Sequence, residues 1–167
     1  YLPYFQKLKE IIESNVLGKI VNMHSTFNTK VYKQKKFFGI KIKKPDYSNR
    51  LFNKELGGGA ILDIGCYPLS LSTFINSITY KVQLKDIILE NVFTEHCESG
   101  VDIFSNLKIN FGNKFNSYIN CSFKENLNQQ TIINFEDGSL TVDQSWVPDR
   151  IMFIVQKKGN ELSLIHI

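Results

Sequence analysis

The sequence predicts an α+β domain in which an open, mostly antiparallel sheet carries helices on one face. Apolar residues at helical spacing come early in the chain, and period-two alternation takes over from about residue 84. Turn signals such as Gly-Asn and Asp-Gly pairs separate the later strands. A chain of 167 residues is long enough for a two-layer core, so we interpret residues 1–167 as one domain.

The first elements are a helix and a strand. Apolar residues recur at helical spacing from Pro3 to about Ser14, which predicts an amphipathic helix. Residues 18–27 then alternate, which predicts a strand with Met23 on the core face. His24 falls on the opposite face, where we predict a surface histidine rather than a ligand.

The tract from about Thr29 to Glu55 has no clean period and is predicted to be a long loop-like excursion. Loops of that length are uncommon unless they are functional. The tract contains Arg50, and the only other arginine is Arg150. A planar guanidinium in a lysine-rich chain suits a carboxylate, a phosphate or a sugar hydroxyl, with a surface ion pair as the alternative.

A second helix is predicted over residues 60–75, directly after a triple glycine. Asp63 and Tyr67 are the polar side chains of its apolar first part, and their separation of four residues places both on one helix face. Pro68 lies inside this helix and should kink it or begin a new turn there.

Two interpretations of this segment remain open on spacing alone. Asp63 and Tyr67 suit proton transfer, with the phenol bonded to a substrate hydroxyl and the carboxylate orienting it. Alternatively, Asp63 is a favourable charge at a helix start and Tyr67 is a core residue. Gly58 and Gly59 could hold an anion at the helix N-terminus, but they match no known phosphate loop, and close backbone approach is the alternative.

The remainder of the chain is predicted to be an antiparallel meander, which brings the total to six or seven strands. The open face of this sheet would carry Phe104, Tyr118 and many asparagines, which are either solvated or packed against a second copy of the chain. The predicted strands are 101–111, 114–123, 131–135, 139–142, 151–155 and 161–165, joined in pairs by the turns Gly112-Asn113, Asp137-Gly138 and Lys158-Gly159-Asn160.

Composition limits the class of protein. Hydrophobic residues at 43% and charged residues at 22% are typical of a soluble globular protein, and no apolar run reaches the roughly 20 residues of a membrane span. The three cysteines, Cys66, Cys97 and Cys121, are widely spaced. We therefore predict free thiols in a cytoplasmic protein, with no disulfide framework, no metal site and no membrane partner.

The net charge of +4 is modest, although lysines concentrate between Lys30 and Lys44 among aromatic and aliphatic residues. This lysine-rich tract could be a nucleic-acid-binding surface or a solvated loop. No recognition motif accompanies it, and such tracts are usually solvated loops, so we expect no nucleic-acid partner.

The residues from Arg50 through the segment Glu55–Pro68 resemble the signature of an oxidoreductase family. This family includes glucose–fructose oxidoreductase, inositol dehydrogenase and the rhizopine catabolism proteins. Residues 8–20 are similar to the family's helix-to-strand passage into its second domain, and residues 136–140 are similar to a late hairpin. The chain begins at Tyr1 without methionine, and we expect it to be a piece of a longer protein.

The resemblance implies a C-terminal domain of the glyceraldehyde-3-phosphate dehydrogenase-like type, which holds substrate and builds a homo-oligomer through its open sheet. NAD or NADP would be held by an N-terminal Rossmann domain. The chain has no dinucleotide glycine fingerprint and no Glu-Lys-Pro segment of the kind that supplies the family's catalytic lysine. We therefore expect that the Rossmann domain is absent from this chain, that this domain alone holds no cofactor, and that it transfers no hydride by itself.

By this resemblance Asp63 and Tyr67 are catalytic positions on the substrate side, and Arg50 is a substrate-contact candidate. Gly58 and Gly59 are candidates for a contact with the cofactor. The implied substrate is a sugar, a polyol or a related hydroxyl or carbonyl compound. A domain kept only for oligomerisation or small-molecule binding, without catalysis, is the alternative function.

Overall fold

The structure, a computed structural model, describes residues 3–32, 35–37, 40–43, 45–125, 129–147, 151–159 and 162–166. These residues form two α-helices and ten strands. In chain order they are α1 (Pro3–Glu13), β1 (Ile20–Asn28), β2 (Lys35–Phe37), β3 (Ile40–Lys43), α2 (Cys66–Ile78), β4 (Ile87–His96), β5 (Asp102–Phe111), β6 (Phe115–Ser122), β7 (Thr131–Phe135), β8 (Gly138–Asp143), β9 (Met152–Lys157) and β10 (Leu162–His166).

Eight of the strands form one sheet in the order β10-β9-β8-β7-β1-β6-β5-β4. Strand β1 lies inside the sheet, parallel to β6 and antiparallel to β7. The other neighbouring pairs in this sheet are antiparallel. The predicted α+β class is confirmed, but the strand count was too low. Consecutive apolar residues and two register shifts in β4 hide its alternation in the sequence.

Helices α1 and α2 cover one face of this sheet. Phe5 of α1 meets Phe74 of α2 edge to face, with ring centroids 5.1 Å apart. Apolar burial between helices and sheet is the main stabilising contribution of this layer. The core consists of Tyr4, Leu8, Ile12, Leu17, Ile20, Met23, Leu71, Ile75, Leu107, Ile109, Phe111, Phe115, Ile119, Ile133, Phe135, Leu140, Val142, Phe153 and Val155.

A second, smaller hydrophobic cluster lies beside the start of the α2 segment and the end of β6. It packs the loop before α2 against the β4–β5 hairpin. Its buried members are Phe52, Ala60, Ile64, Cys97, Val101, Ile103, Cys121 and Phe123.

The excursion predicted over residues 29–55 contains more regular structure than its sequence indicates. Strands β2 and β3 form a separate antiparallel pair, and two 3₁₀ turns follow at Arg50–Phe52 and Lys54–Leu56. The side chains of Asn49 and Asn53 accept backbone N–H groups at the starts of these turns. Such local caps stabilise short turns that show no periodicity.

The helix predicted over residues 60–75 begins with a π-helical turn, Ile61–Gly65, and continues as α2 to Ile78. The irregularity therefore precedes Pro68 instead of lying at it. Proline has no N–H to donate to the carbonyl four residues earlier, and the wider turn lies where that bond would be. Pro68 is thus accommodated in the first turn of α2.

One helical stretch, Lys54–Ile78, is long and apolar enough by length and composition to cross a membrane, with a mean hydropathy of 1.2 in its most apolar window. In the structure 44% of that window is buried inside the domain. Leu71 and Ile75 are fully buried against the sheet. The apolar character of this stretch fits a core helix of the domain.

The face opposite the helices is polar and aromatic, as predicted. His24 stacks on Tyr118 with ring centroids 4.5 Å apart, and desolvation lowers the pKa of His24. Lys108 Nζ lies 5.9 Å from the Tyr118 ring centroid and 2.5 Å from Glu90 Oε2. The predicted surface position of His24 is confirmed, and its neighbours form one continuous patch across β1, β6, β5 and β4.

Replacing Phe115 with alanine should lower the free energy of unfolding by about 3–5 kcal/mol, because the ring is 2% exposed and its loss leaves a core cavity. Chemical denaturation followed by circular dichroism measures this change. Phe93→Ala is the matched control, since Phe93 is 59% exposed and should cost at most about 1 kcal/mol. Equal losses for the two variants would contradict this assignment of the core.

Candidate functional site

The glycine turn before the π-helical segment is built on close backbone contact. A Cβ atom on Gly58 would lie 2.6 Å from the carbonyl oxygen of Arg50 and 2.7 Å from that of Leu51. The N–H of Gly58 donates to Asn53 O at 2.9 Å, and the N–H of Gly59 donates to Leu51 O at 2.9 Å. Only glycine allows this approach. The turn therefore holds the loop of residues 50–56, here called the Arg50 loop, against the start of the helix.

This contact brings Arg50 and Asp63 together. The Arg50 guanidinium donates to Asp63 Oδ1, and the two side chains are 56% and 22% exposed. Asp63 itself is held by its N–H, which donates to Gly59 O at 3.0 Å. The ion pair predicted as the alternative for Arg50 is thus present, and its partner is the other predicted site residue. The exposed part of the guanidinium leaves donors available to a ligand.

The Arg50 loop is anchored by Phe52, which belongs to the second hydrophobic cluster. Phe52 is 5% exposed and packs edge to face on Phe123, with centroids 5.8 Å apart. The hydroxyl of Ser99, in the β4–β5 turn, donates to Phe52 O at 2.6 Å. The loop therefore presents Arg50 from a supported backbone.

Tyr67 lies at the mouth of an aromatic cavity of about 290 Å³. Its ring meets Phe27 edge to face at 5.5 Å and lies 6.2 Å from the ring of Trp146. Phe27 and Trp146 stack at 5.6 Å, and the indole N–H of Trp146 donates to Thr26 O at 2.9 Å. Tyr4, Phe5, Ser70 and Ser145 complete the lining.

Tyr67 is 53% exposed, and its hydroxyl has no hydrogen-bond partner among the described residues. A phenol at the mouth of an aromatic cavity can donate to, or accept from, an oxygen of a ligand seated there. Asp63 and Tyr67 share one segment, but their contacts differ, because Asp63 pairs with Arg50 while Tyr67 packs on aromatic rings. They form two neighbouring parts of a site, and no hydrogen bond joins them.

A carboxylate from a distant strand caps the start of this segment. Asp102 Oδ2 accepts the N–H of Ile61 at 2.8 Å and the hydroxyl of Ser105 at 2.9 Å. The N–H of Ile61 is therefore already bonded to a carboxylate and is not available to a cofactor phosphate. The suggested cofactor contact of Gly58 and Gly59 stays a prediction, and the geometry gives both glycines a packing role.

Sequence reasoning missed three residues of this region. The three are Asp102, Phe27 and Trp146. No local pattern shows that Asp102 reaches a helix start 41 residues earlier. The one usable signal was that Trp146 is the only tryptophan of the chain.

The three cysteines are unpaired, with Cys97 and Cys121 buried and Cys66 exposed. Burial raises the pKa of the Cys121 thiol to about 12, and the charge of Asp102 adds to the rise. No group of three His, Cys, Asp or Glu side chains suitable for a metal ion occurs in the described part of the chain. A wider groove of about 620 Å³, between Lys19 and Lys114, lies at the opposite ends of β1 and β6 and contains none of the predicted site residues.

The described residues thus form an open mixed sheet with two helices on one face and a candidate site at the start of the second helix. A family model matches this domain, because residues 5–141 match the GFO/IDH/MocA C-terminal domain. The chain belongs to this family. The family resemblance of Arg50 and the Glu55–Pro68 segment is thereby confirmed.

The curated relatives have low sequence identity to this chain, and their alignments cover nearly all of it. The chain is 23% identical to a trans-1,2-dihydrobenzene-1,2-diol dehydrogenase of Xenopus tropicalis, over 99% of this chain and 44% of the relative. The corresponding enzyme of Xenopus laevis is 22% identical over the same shares. The chain thus spans less than half the length of these relatives.

Solved structures share the fold. An aldose–aldose oxidoreductase from Caulobacter crescentus, complexed with glycerol, superposes with a TM-score of 0.76 at 14% identity, covering 99% of this chain and 44% of that one. The 3-ketoreductase KijD10 from Actinomadura kijaniata, in complex with NADP and TDP-benzene, gives a TM-score of 0.74 at 15% identity, covering 98% and 46%. At these identities the likeness confirms the fold class.

Gly58→Ala should destabilise the domain by at least about 2 kcal/mol, because its Cβ would overlap backbone carbonyls that cannot move independently. Gly57→Ala is the control, since Gly57 has φ +69° but no atom within 4 Å of its Cβ position, and its cost should be about 1 kcal/mol of backbone strain. Thermal unfolding measures both. A Gly58→Ala variant as stable as Gly57→Ala would refute the packing role.

Proposed function

We propose that this chain is the substrate-binding part of an NAD(P)-dependent oxidoreductase that acts on a sugar, a polyol or a related hydroxyl or carbonyl compound. The observation that carries the proposal is Tyr67, whose hydroxyl lies at the mouth of the aromatic cavity and has no hydrogen-bond partner among the residues that the structure describes. Family membership and the oxidoreductase names of the relatives support it. The cofactor domain would precede this chain in the longer protein.

In this proposal Tyr67 forms a hydrogen bond with the reacting oxygen of the substrate and exchanges a proton with it. The adjacent rings exclude water from that hydrogen bond, which strengthens it. The nicotinamide, when bound, donates or accepts the hydride. The residues of this chain therefore bind and orient the substrate and handle the proton.

Asp63 and Arg50 act as a unit beside this position. The ion pair neutralises Asp63 and holds its carboxylate in one orientation, while the exposed guanidinium donors face solvent. A second hydroxyl of the substrate can donate to the free carboxylate oxygen or accept from Arg50. This arrangement suits a ligand with two neighbouring oxygens, as a sugar or a cyclic diol has.

The aromatic lining adds a shape requirement. Phe27 and Trp146 offer a flat apolar surface beside Tyr67. A ring compound can lay its C–H face on this surface and keep its hydroxyl groups toward Tyr67 and Asp63. An acyclic ion with no apolar face would make no such contact with the rings of Phe27 and Trp146.

The open face of the sheet supports a further part of the proposal, assembly with a second copy of the chain. The stacked pair His24–Tyr118 lies at its centre, and the buried Oδ1 atoms of Asn116 and Asn120 have no partner among the described residues. Unpaired buried amide oxygens are costly, and repacking against a second copy would satisfy them. A domain with this assembly role alone is the competing function.

The coding sequence directly before Tyr1 separates the two functions. A strand followed by G-x-G-x-x-G and a helix, with a Glu-Lys-Pro segment near residue 1, supports the oxidoreductase. A start codon immediately before Tyr1 would leave the assembly or binding role as the function of the protein.

Tyr67→Phe in the longer protein should lower kcat by about 100-fold or more, because it removes the hydroxyl to which the proposal assigns the proton exchange. The KM for NAD(P) should not change. Steady-state rates with the cofactor and a panel of sugars, polyols and cyclic diols measure both. Tyr80→Phe is the matched control, since the Tyr80 hydroxyl donates to Ile20 O at 2.6 Å, away from the site. Unchanged turnover in Tyr67→Phe would remove this tyrosine from the mechanism.

Light scattering should show a dimer or a larger assembly, and His24→Glu should shift it to a monomer by placing a charge in the centre of the open face. Gln6→Glu is the control, because it adds the same charge on the exposed surface of α1, in the helical layer. A wild-type monomer at micromolar concentration would contradict assembly through this face.

A further inference from the structure

We propose that Asp102 is a positioning residue of the substrate site, which fixes the segment bearing Asp63 and Tyr67 through the cap at Ile61. This inference rests on the proposed function and extends it to a residue outside the family-like motif. Asp102 touches neither Asp63 nor Tyr67, and it acts through the backbone that carries them.

Asp102 makes both of its hydrogen bonds through one carboxylate oxygen. Its Oδ2 accepts two hydrogen bonds, from the N–H of Ile61 at 2.8 Å and from the hydroxyl of Ser105 at 2.9 Å. Ser105 is fully buried, so the orientation of the carboxylate is set from the core. The start of the segment is otherwise without a side-chain cap, because Ala60 occupies the cap position.

The second oxygen of Asp102 explains the third glycine of the turn. A Cβ atom on Gly59 would lie 2.2 Å from Asp102 Oδ1, and Gly59 has φ +121°. Any side chain at Gly59 would push the carboxylate away from Ile61. The Asp102 carboxylate can therefore occupy its position only because residue 59 is glycine, although 43 residues of sequence separate the two.

The charge of Asp102 suits its place. A carboxylate at the N-terminus of a helical segment is stabilised by the aligned peptide dipoles, which for this segment run through the π-helical turn into α2. The same β4–β5 hairpin also holds the Arg50 loop, because the hydroxyl of Ser99 in its turn donates to Phe52 O at 2.6 Å. Ser99 and Asp102 together hold the Arg50 loop and the Asp63 segment at a fixed separation.

The test compares Asp102→Ala and Asp102→Asn with the control Asp86→Ala, a substitution of an exposed carboxylate in the turn before β4. Two measurements are made. The first is the emission spectrum of Trp146 in this chain, whose ring lies 6.2 Å from that of Tyr67 and which is the only tryptophan. The second is kcat and the KM for NAD(P) in the longer protein.

We expect Asp102→Ala to shift the Trp146 emission and to lower kcat on the order of tenfold to a hundredfold, since small displacements of reacting groups have effects of that size. The KM for NAD(P) should stay within about twofold. Asp102→Asn should restore part of both signals, because its amide oxygen can still accept the N–H of Ile61. Asp86→Ala should match the wild type.

A folded Asp102→Ala protein with wild-type Trp146 emission and wild-type kcat would overturn the inference. If the alanine variant does not fold, Asp102→Asn and Ser105→Ala decide it, and wild-type values in both would overturn it. A wild-type longer protein that transfers no hydride would instead refute the proposed function, while the Trp146 emission would still decide whether Asp102 positions the segment.

Discussion

The close contact between Gly58 and the carbonyl groups of the preceding loop is the constraint on which the site depends. It brings the loop that carries Arg50 to the start of the helical segment that carries Asp63, so that the two charges pair. Asp102 completes the same junction by accepting the N–H of Ile61 and by occupying the space that a side chain on Gly59 would need. Gly58 and Gly59 are therefore required by packing, Gly57 is required only by its positive φ, and the helix N-terminus is supplied with its anion by the protein itself.

Sheet topology accounts for the aromatic half of the site. Strands β1 and β6 run parallel, so they end at the same edge of the sheet. The end of β1 supplies Phe27, and the turn after β8 returns to the same edge with Trp146, whose indole N–H is fixed on Thr26 O. Tyr67 meets these rings because α2 begins above this edge. A cavity built by three elements far apart in the chain thus stands beside the Arg50–Asp63 pair.

The two faces of the sheet serve different purposes. One face is closed by α1 and α2, whose apolar side chains form the main core. The other face remains polar and aromatic, with the His24–Tyr118 stack and unpaired amide oxygens, which supports its proposed use in assembly. The chain matches less than half the length of its curated relatives, and the proposed chemistry needs a cofactor domain beyond it. Under the proposed function, the domain forms one wall of a cleft.

The sequence by itself determined the α+β class, the helical layer, the late hairpins and the family, because alternation, helical spacing and the Glu55–Pro68 segment are local patterns. It also identified Arg50, Asp63 and Tyr67 as candidates, although it left the partner of Arg50 open. Only the tertiary structure decided that Arg50 pairs with Asp63, that Phe27 and Trp146 enclose Tyr67, and that Asp102 caps the segment. The π-helical turn and the additional strand β4 also escaped prediction. Each of these features depends either on contacts between residues distant in sequence or on irregular backbone geometry. Neither kind of cause produces a periodic pattern in the sequence.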